Sequence, residues 1–210
     1  LYFSPVIEMI SESVIRISLP IYFLIFFGYV FLYRSRQVSK NIGKSTMVLP
    51  KDGSSQAMIG LFFKIVHYGS VVFCLAFAAY PTLTNFLGEL GWMTGPVFKY
   101  IGSALLILAF IITVMAQNTM RSSWRMGIDN ETGSELITNG LFAYSRNPVF
   151  VGLIMCFLGL FLIVPNALTL LFVVLEYVLI QIQIRVEESH LEKSHGVAYV
   201  EYRSKTRRLI

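Results

Sequence analysis

Five apolar stretches dominate the chain. They lie near residues 14–33, 59–80, 97–116, 148–164 and 167–184. The hydrocarbon core of a bilayer is ~30 Å thick, which an α-helix crosses in about 20 residues. Inside that core each segment must pair its own backbone N–H and C=O groups, so such stretches predict transmembrane helices. The fourth and fifth fall short of 20 residues, and short spans tilt little or thin the bilayer around them. Pro165-Asn166 leaves room only for a tight turn between these two, which predicts an antiparallel helical hairpin. Composition agrees: 55% of the 210 residues are hydrophobic and 14% are charged, far from a soluble domain. The reading is an all-α integral membrane protein, a single domain over residues 1–210, with no internal repeat.

The basic residues give the spans an orientation. Arg34, Arg36, Lys40, Lys44 and Lys51 lie between spans one and two; Arg121, Arg125 and Arg146 lie between three and four. Arg185, Lys193, Arg203, Lys205, Arg207 and Arg208 follow span five, whereas 81–96 contains no Lys or Arg. This bias predicts an external N-terminus and a cytoplasmic C-terminus. Arg16 and Lys99 sit near the outer ends, where they can snorkel. The net charge of +5 thus reads as topology plus attraction to anionic membrane lipid. Cations scattered along a membrane face argue against a nucleic-acid partner. Cys74 and Cys156 both fall inside spans, and no metal site or disulfide framework follows from them. No G-x-G-x-x-G follows a strand, so a soluble dinucleotide fold has no support.

Polar chemistry gathers in two segments on the basic side. One is 117–148, "QNTMRSSWRMGIDNETGSELITNGLFAYSRNP"; the other is 183–210, "QIRVEESHLEKSHGVAYVEYRSKTRRLI". In the second, Val186, Leu191, Val197, Val200, Tyr199 and Tyr202 recur at helical spacing. This predicts an amphipathic helix that continues span five and breaks near Gly196. Such a helix can fold back on the membrane or cover a site.

Arg146-Asn147-Pro148 opens span four. Asn is a favoured N-cap and Pro a favoured first helical residue, so a plain helix start explains the pair. The first-turn N–H groups nevertheless carry partial positive charge, and Arg146 adds a full one, so a ligand carboxylate is stabilised there. Glu187-Glu188 lies just beyond span five, and the hairpin returns it to the same side. Two acids facing this helix start suit a ligand that carries both an amine and a carboxylate. The bland reading of the pair is a solvated helix face. Within the spans, His67 and Glu176 are ionisable residues at membrane depth, where such groups are functional suspects. His67 is weighed as a wall of an acceptor tunnel against a hydrogen bond within the bundle. Lys64 is a snorkelling cation, Trp124 an interfacial anchor, Arg125 a candidate for lipid phosphate, and His190 and His195 surface-helix residues.

"SELITNGLFAYSRNPVFVG" and "EESHLEKSHGVAYVEYRSKTRRL" together resemble the isoprenylcysteine carboxyl methyltransferase family, a broad group that includes phospholipid and small-thiol methyltransferases. The resemblance covers roughly 117–210 and rests on Leu136-Ile137-x-x-Gly140-x-Phe142, Arg146-Asn147-Pro148-x-Phe150, Glu187-Glu188-x-x-Leu191 and His195-Gly196-x-x-Tyr199-x-x-Tyr202. It implies an S-adenosylmethionine pocket on the cytoplasmic side, formed by 117–148 and closed by the C-terminal segment. Glu135, Leu136 and Ile137 would line the adenosine, with Phe142 packing nearby; Asn147, Pro148, Val149 and Phe150 would frame the methionine part; Glu187 would meet the amine or ribose. Arg146, Glu188 and Arg185 are the candidate catalytic residues, and Gln183 and His67 the candidate acceptor contacts. Aromatic faces also suit a sulfonium centre.

Two features depart from the family pattern. Phe142 and Phe150 stand where tyrosines are usual. Gln183 stands where the carboxyl methyltransferases of the group place an arginine toward the acceptor carboxylate, and Arg185 lies on another face of the helix. On this ground prenylcysteine carboxylates are expected to be poor acceptors. The implied reaction is methyl transfer to a lipophilic acceptor reached from the bilayer, which chiefly requires alignment and exclusion of water. An amine or thiol acceptor would in addition need a base such as Glu188. The alternatives are a phospholipid or amine N-methyltransferase on the same scaffold, or a non-catalytic membrane subunit. A prokaryotic inner-membrane location, with the site on the cytoplasmic face, is expected.

Overall fold

The computed structural model describes residues 5–44, 46, 54–124 and 135–209. Lys51 and Arg125 lie outside the described residues. Helix α1, Pro5–Phe27, passes through a π-helical turn at Gly28–Tyr33 into α2, Arg34–Ile42. Helix α3 is Ser55–Ala79; its cap, Ser54, accepts a hydrogen bond from the Ala57 N–H at 3.3 Å. Helix α4 is Pro96–Met120, α5 is Pro148–Ile163, α6 is Ala167–His195 and α7 is Val197–Lys205. Short 3₁₀ turns fill the connections, at Pro81–Phe86, Gly91–Met93, Arg121–Ser123 and Gly140–Ala143. No strand occurs among the described residues.

Four helices are long and apolar enough to cross a membrane: Glu12–Asn41, Ser55–Ala79, Pro96–Met120 and Ala167–His195. The fourth predicted span, α5, is equally apolar but only 16 residues long. The first and fifth predicted spans run further than the hydropathy pattern, to residues 41 and 195. Neither extension holds a Gly or Pro, so the helix propagates past the apolar boundary until Gly43 and Gly196 end it. At Gly196 φ is +53°, a conformation without steric cost only for glycine, and the chain turns there into α7.

The expected hairpin forms. Asn166 caps α6, its side chain accepting from the N–H groups of Leu168 and Thr169 at 3.0 Å each, while Thr169 Oγ1 accepts from the Asn166 N–H at 3.2 Å. The loop between α3 and α4 pairs with this turn: Leu90 N–H donates to Pro165 O and Ala167 N–H to Leu87 O, both at 3.0 Å. The segment without Lys or Arg and the hairpin turn therefore share one end of the bundle. At the other end Arg34 binds the last turn of α4 and Arg146 binds α6, so the basic connections meet there.

Helices α4 and α5 touch backbone to backbone. A Cβ on Gly102 would lie 2.7 Å from Gly159 O, and one on Gly159 would lie 2.8 Å from Gly102 O. Small residues at such crossings let helices approach closely where lipid offers no hydrophobic drive to association. Phe23 and Phe26 of α1, Phe157 and Leu160 of α5 and Ile180 of α6 fill the buried core. Ile17, Ile21, Leu24, Ile107, Leu108, Val174 and Val178 face outward, an apolar exterior suited to lipid.

Candidate active site

The hairpin sets the site's position. From Asn166 to Glu188, α6 advances 22 residues, roughly 33 Å at 1.5 Å per residue. Helix α5 rises only about 24 Å over its 16 residues, so Glu188 lies past its first turn, beside the loop that carries Arg146. Glu188 is buried, and Arg146 reaches it with Nη2 at 2.6 Å and Nε at 3.2 Å from Oε1. Arg208 completes the cluster, its Nε 3.1 Å from Oε1 and its Nη2 2.8 Å from Oε2. One carboxylate thus accepts four hydrogen bonds from two guanidiniums.

The same cluster straps the C-terminal segment across the start of α5. Arg146 Nη1 donates to Arg203 O at 3.1 Å and Thr206 O at 2.5 Å. Its backbone N–H donates to Arg207 O at 2.9 Å, within a parallel bridge between Ser145 and Arg207. Asn147 Nδ2 donates to Arg208 O at 2.9 Å. Tyr202 Oη donates to Phe142 O at 2.6 Å. Burial pushes the Tyr202 phenol up to about 12, so it stays protonated and a donor at neutral pH. Burial likewise raises the Tyr199 phenol, which is almost wholly enclosed beside Arg146 and Glu188.

The predicted residues fall into three groups. Phe142, Arg146, Asn147, Pro148 and Glu188 come together, with Phe142 and Pro148 buried. Asn147 occupies the N-cap position, but its side chain makes no capping bond; it is drawn instead to the C-terminal segment. The sequence pattern of an Asn-Pro helix start does not distinguish these. Val149 and Phe150 lie in the first turn of α5, Phe150 packed on the core. Glu135, Leu136 and Ile137 lead toward the turn at Gly140, Glu135 exposed and the other two half-buried.

The remaining candidates lie outside the Arg146–Glu188 cluster. Glu187 is half-buried and turns to its own helix, accepting from Gln183 Nε2 at 2.8 Å. Of the two adjacent acids, only Glu188 meets Arg146, because neighbours on a helix diverge by about 100°. Arg185 is exposed and folds back on Gln181 O at 2.6 Å. His67 binds Glu176 Oε1 at 3.1 Å and stacks with Phe27 and Phe31, ring centroids 4.7 and 5.1 Å away. These are contacts of the bundle interior, and they give Glu176 its inward partner.

Arg203, Thr206 and Arg208 were legible in sequence only as topological charge and a tail. Their role depends on a fold-back that no local periodicity encodes. Beside the strap lies a cavity of about 540 Å³, walled by Leu141, Tyr144, Pro148 and Val151, with Lys205 and Arg207 on its lining.

Residues 97–198 match the phospholipid methyltransferase family. The chain is also similar to Protein-S-isoprenylcysteine O-methyltransferase of Saccharomyces cerevisiae, 28% identical over 108 residues. That alignment covers 50% of this chain and 45% of the relative, so the chain spans about half the length of the curated relative it matches. The stretch that resembles this family contains nearly all of α4, the α5–α6 hairpin and Glu188.

Proposed function

We propose that this chain is an S-adenosylmethionine-dependent membrane methyltransferase that methylates an oxygen of an acidic, lipophilic acceptor. The observation that carries the reading is Glu188. A carboxylate bound by two guanidiniums is a poor proton acceptor, because both cations favour its charged form. An amine or thiol acceptor needs a base at this point, whereas a carboxylate arrives deprotonated. The similarity to an O-methyltransferase supports the same class. The N-methyltransferase and non-catalytic readings gain no such support.

The residues around the strap suit the cofactor. A cavity of this size is within the range of small-molecule sites, about 300–1,000 Å³. The first-turn N–H groups of α5, left without a side-chain cap, suit the cofactor's carboxylate. Glu187, held by Gln183, suits its amine, and Phe142 and Phe150 offer aromatic surface. When bound, the cofactor supplies an activated methyl group. Arg146 and Glu188 then act as positioning residues, holding the C-terminal segment over the site and excluding water. Arg207 and Lys205 offer the cationic charge that Gln183 does not, which revises the expectation that a carboxylate acceptor would be disfavoured. The five-span topology with a cytoplasmic site belongs to this reading.

The test is methyl transfer from labelled S-adenosylmethionine by the purified chain, offered a prenylcysteine analogue and an aminophospholipid. Labelling of the carboxylate, lowered at least tenfold by Arg207→Gln, is expected. Labelling confined to the amine would overturn the proposal.

A further inference from the structure

A second groove lies at the basic end, on the first helical rod. Phe31, Ser35 and Ser39 follow one another at four-residue intervals, and so do Leu32, Arg36 and Lys40. Such residues stack along one side of a helix. They line a cavity of about 380 Å³, closed by Thr46, which folds back onto Ser39 and the Ser35 carbonyl at 3.0 and 3.1 Å. The order along the groove is apolar, then hydroxyl and cation, then hydroxyl and cation again. Over a little more than two turns it spans roughly 12 Å.

Two observations point to a ligand. Ser35 is 5% exposed, and its buried Oγ has no hydrogen-bond partner. No described acid pairs with Arg36 or Lys40. The adjoining Arg34 guanidinium is buried and turns away from the groove, donating to Gln37 Oε1 at 2.6 Å, Gln117 O at 2.8 Å and Arg121 O at 3.4 Å. Two cations and an unpartnered hydroxyl thus line the end of a span, above an apolar floor whose Leu32 is exposed to the lipid side. Solvent alone would accept the cations but would not explain a shaped groove with an unpartnered hydroxyl. The π-helical turn at Gly28–Tyr33 lies at its foot, a local widening often found at functional sites.

We propose that this groove binds an anionic phospholipid, the phosphate among Ser35, Arg36 and Lys40 and the upper acyl carbons along Phe31 and Leu32. The site is distinct from the Arg146–Glu188 cluster. Arg34, the chain neighbour of Ser35, binds the last turn of α4 from the other side of the same helix.

The full chain, purified in neutral detergent, is titrated with short-chain phosphatidylglycerol, short-chain phosphatidylcholine and inorganic phosphate, read by native mass spectrometry and thermal shift. Phosphatidylglycerol is expected to bind best. Arg36→Gln with Lys40→Gln should weaken it roughly ten- to thirtyfold, as two cations at a lipid phosphate imply. Ser35→Ala, which changes no charge, should weaken it several-fold, and Lys64→Gln with Lys193→Gln should leave it unchanged. Equal binding of phosphatidylcholine, displacement by equimolar inorganic phosphate, unchanged affinity in the Ser35 or Arg36/Lys40 variants, or an equal loss in the Lys64/Lys193 variant would each overturn the assignment.

Discussion

Replacing Glu188 by Ala removes the shared acceptor of two guanidiniums, and the structure sets the size of the effect. The Arg146 and Glu188 side chains are 9% and 10% exposed. Removing one partner of a buried pair costs about 3–5 kcal/mol, because the other charge is left uncompensated. Arg208 is 42% exposed, so its share is that of a surface pair, about 0–1 kcal/mol. Glu188→Ala should therefore cost close to the full 3–5 kcal/mol, and Arg208→Ala at most about a third of it. An apolar exchange, Glu188→Leu with Arg146→Met, should recover only part, since Arg146 also satisfies the Arg203 and Thr206 carbonyls. Trypsin provides the assay, because Arg203, Lys205, Arg207 and Arg208 are all cleavage points on the strap. Released strap in Glu188→Ala should be cut much faster than in the parent, and calorimetry should find S-adenosylmethionine affinity lowered at least tenfold. A Glu188→Ala protein with parental cleavage rate and melting temperature would refute the claim that this cluster holds the strap.

Three further outcomes are expected. Glu187→Ala should weaken S-adenosylmethionine binding by roughly 1.5–3 kcal/mol, the worth of a charged hydrogen bond; calorimetry on folded protein with unchanged affinity would remove Glu187 from the site. Gly159→Leu should destabilise the bundle by about 1–3 kcal/mol or more, because its side chain would meet Gly102 O and Leu106; thermal unfolding in detergent checks this, with Gly28→Leu, which meets nothing, as the tolerant control. The Tyr202 phenol, raised by burial from 10 to about 12, favours the folded strap below pH 10 and loses that contribution as pH climbs from 10 toward 12. Proteolysis of the strap across that window should accelerate in the parent, and Tyr202→Phe should flatten the added pH dependence while costing about 1 kcal/mol at neutral pH.

The membrane class, the hairpin and the break at Gly196 were legible because each is written locally: apolar runs, Pro165-Asn166, and a glycine after a helical pattern. The extension of α6 to His195 was legible as amphipathic periodicity. Other features required three dimensions. Asn147 looks like a capping residue in any sequence, and only the returning strap explains why its amide turns away. Glu187 and Glu188 are indistinguishable as letters; their 100° separation on α6 gives one to Arg146 and the other to Gln183. Arg207 and Arg208 carry the same topological charge in sequence, but one lines the cavity and the other binds Glu188. Gln117, buried between Val30 and Arg34, gave no sequence signal at all.

The glycine contact between α4 and α5 also divides the molecule by stiffness. Backbone packed on backbone has no rotamers to exchange, so Gly102 and Gly159 fix one separation for these two helices. Helices α1 and α3 meet the rest of the bundle through rings instead, Phe23 against Phe157 and Phe73 against Phe172, and rings can slide and flip. Slow amide exchange should mark α4 and α5 as one unit, and any parting of helices that admits a lipid tail belongs to the ring-packed seam.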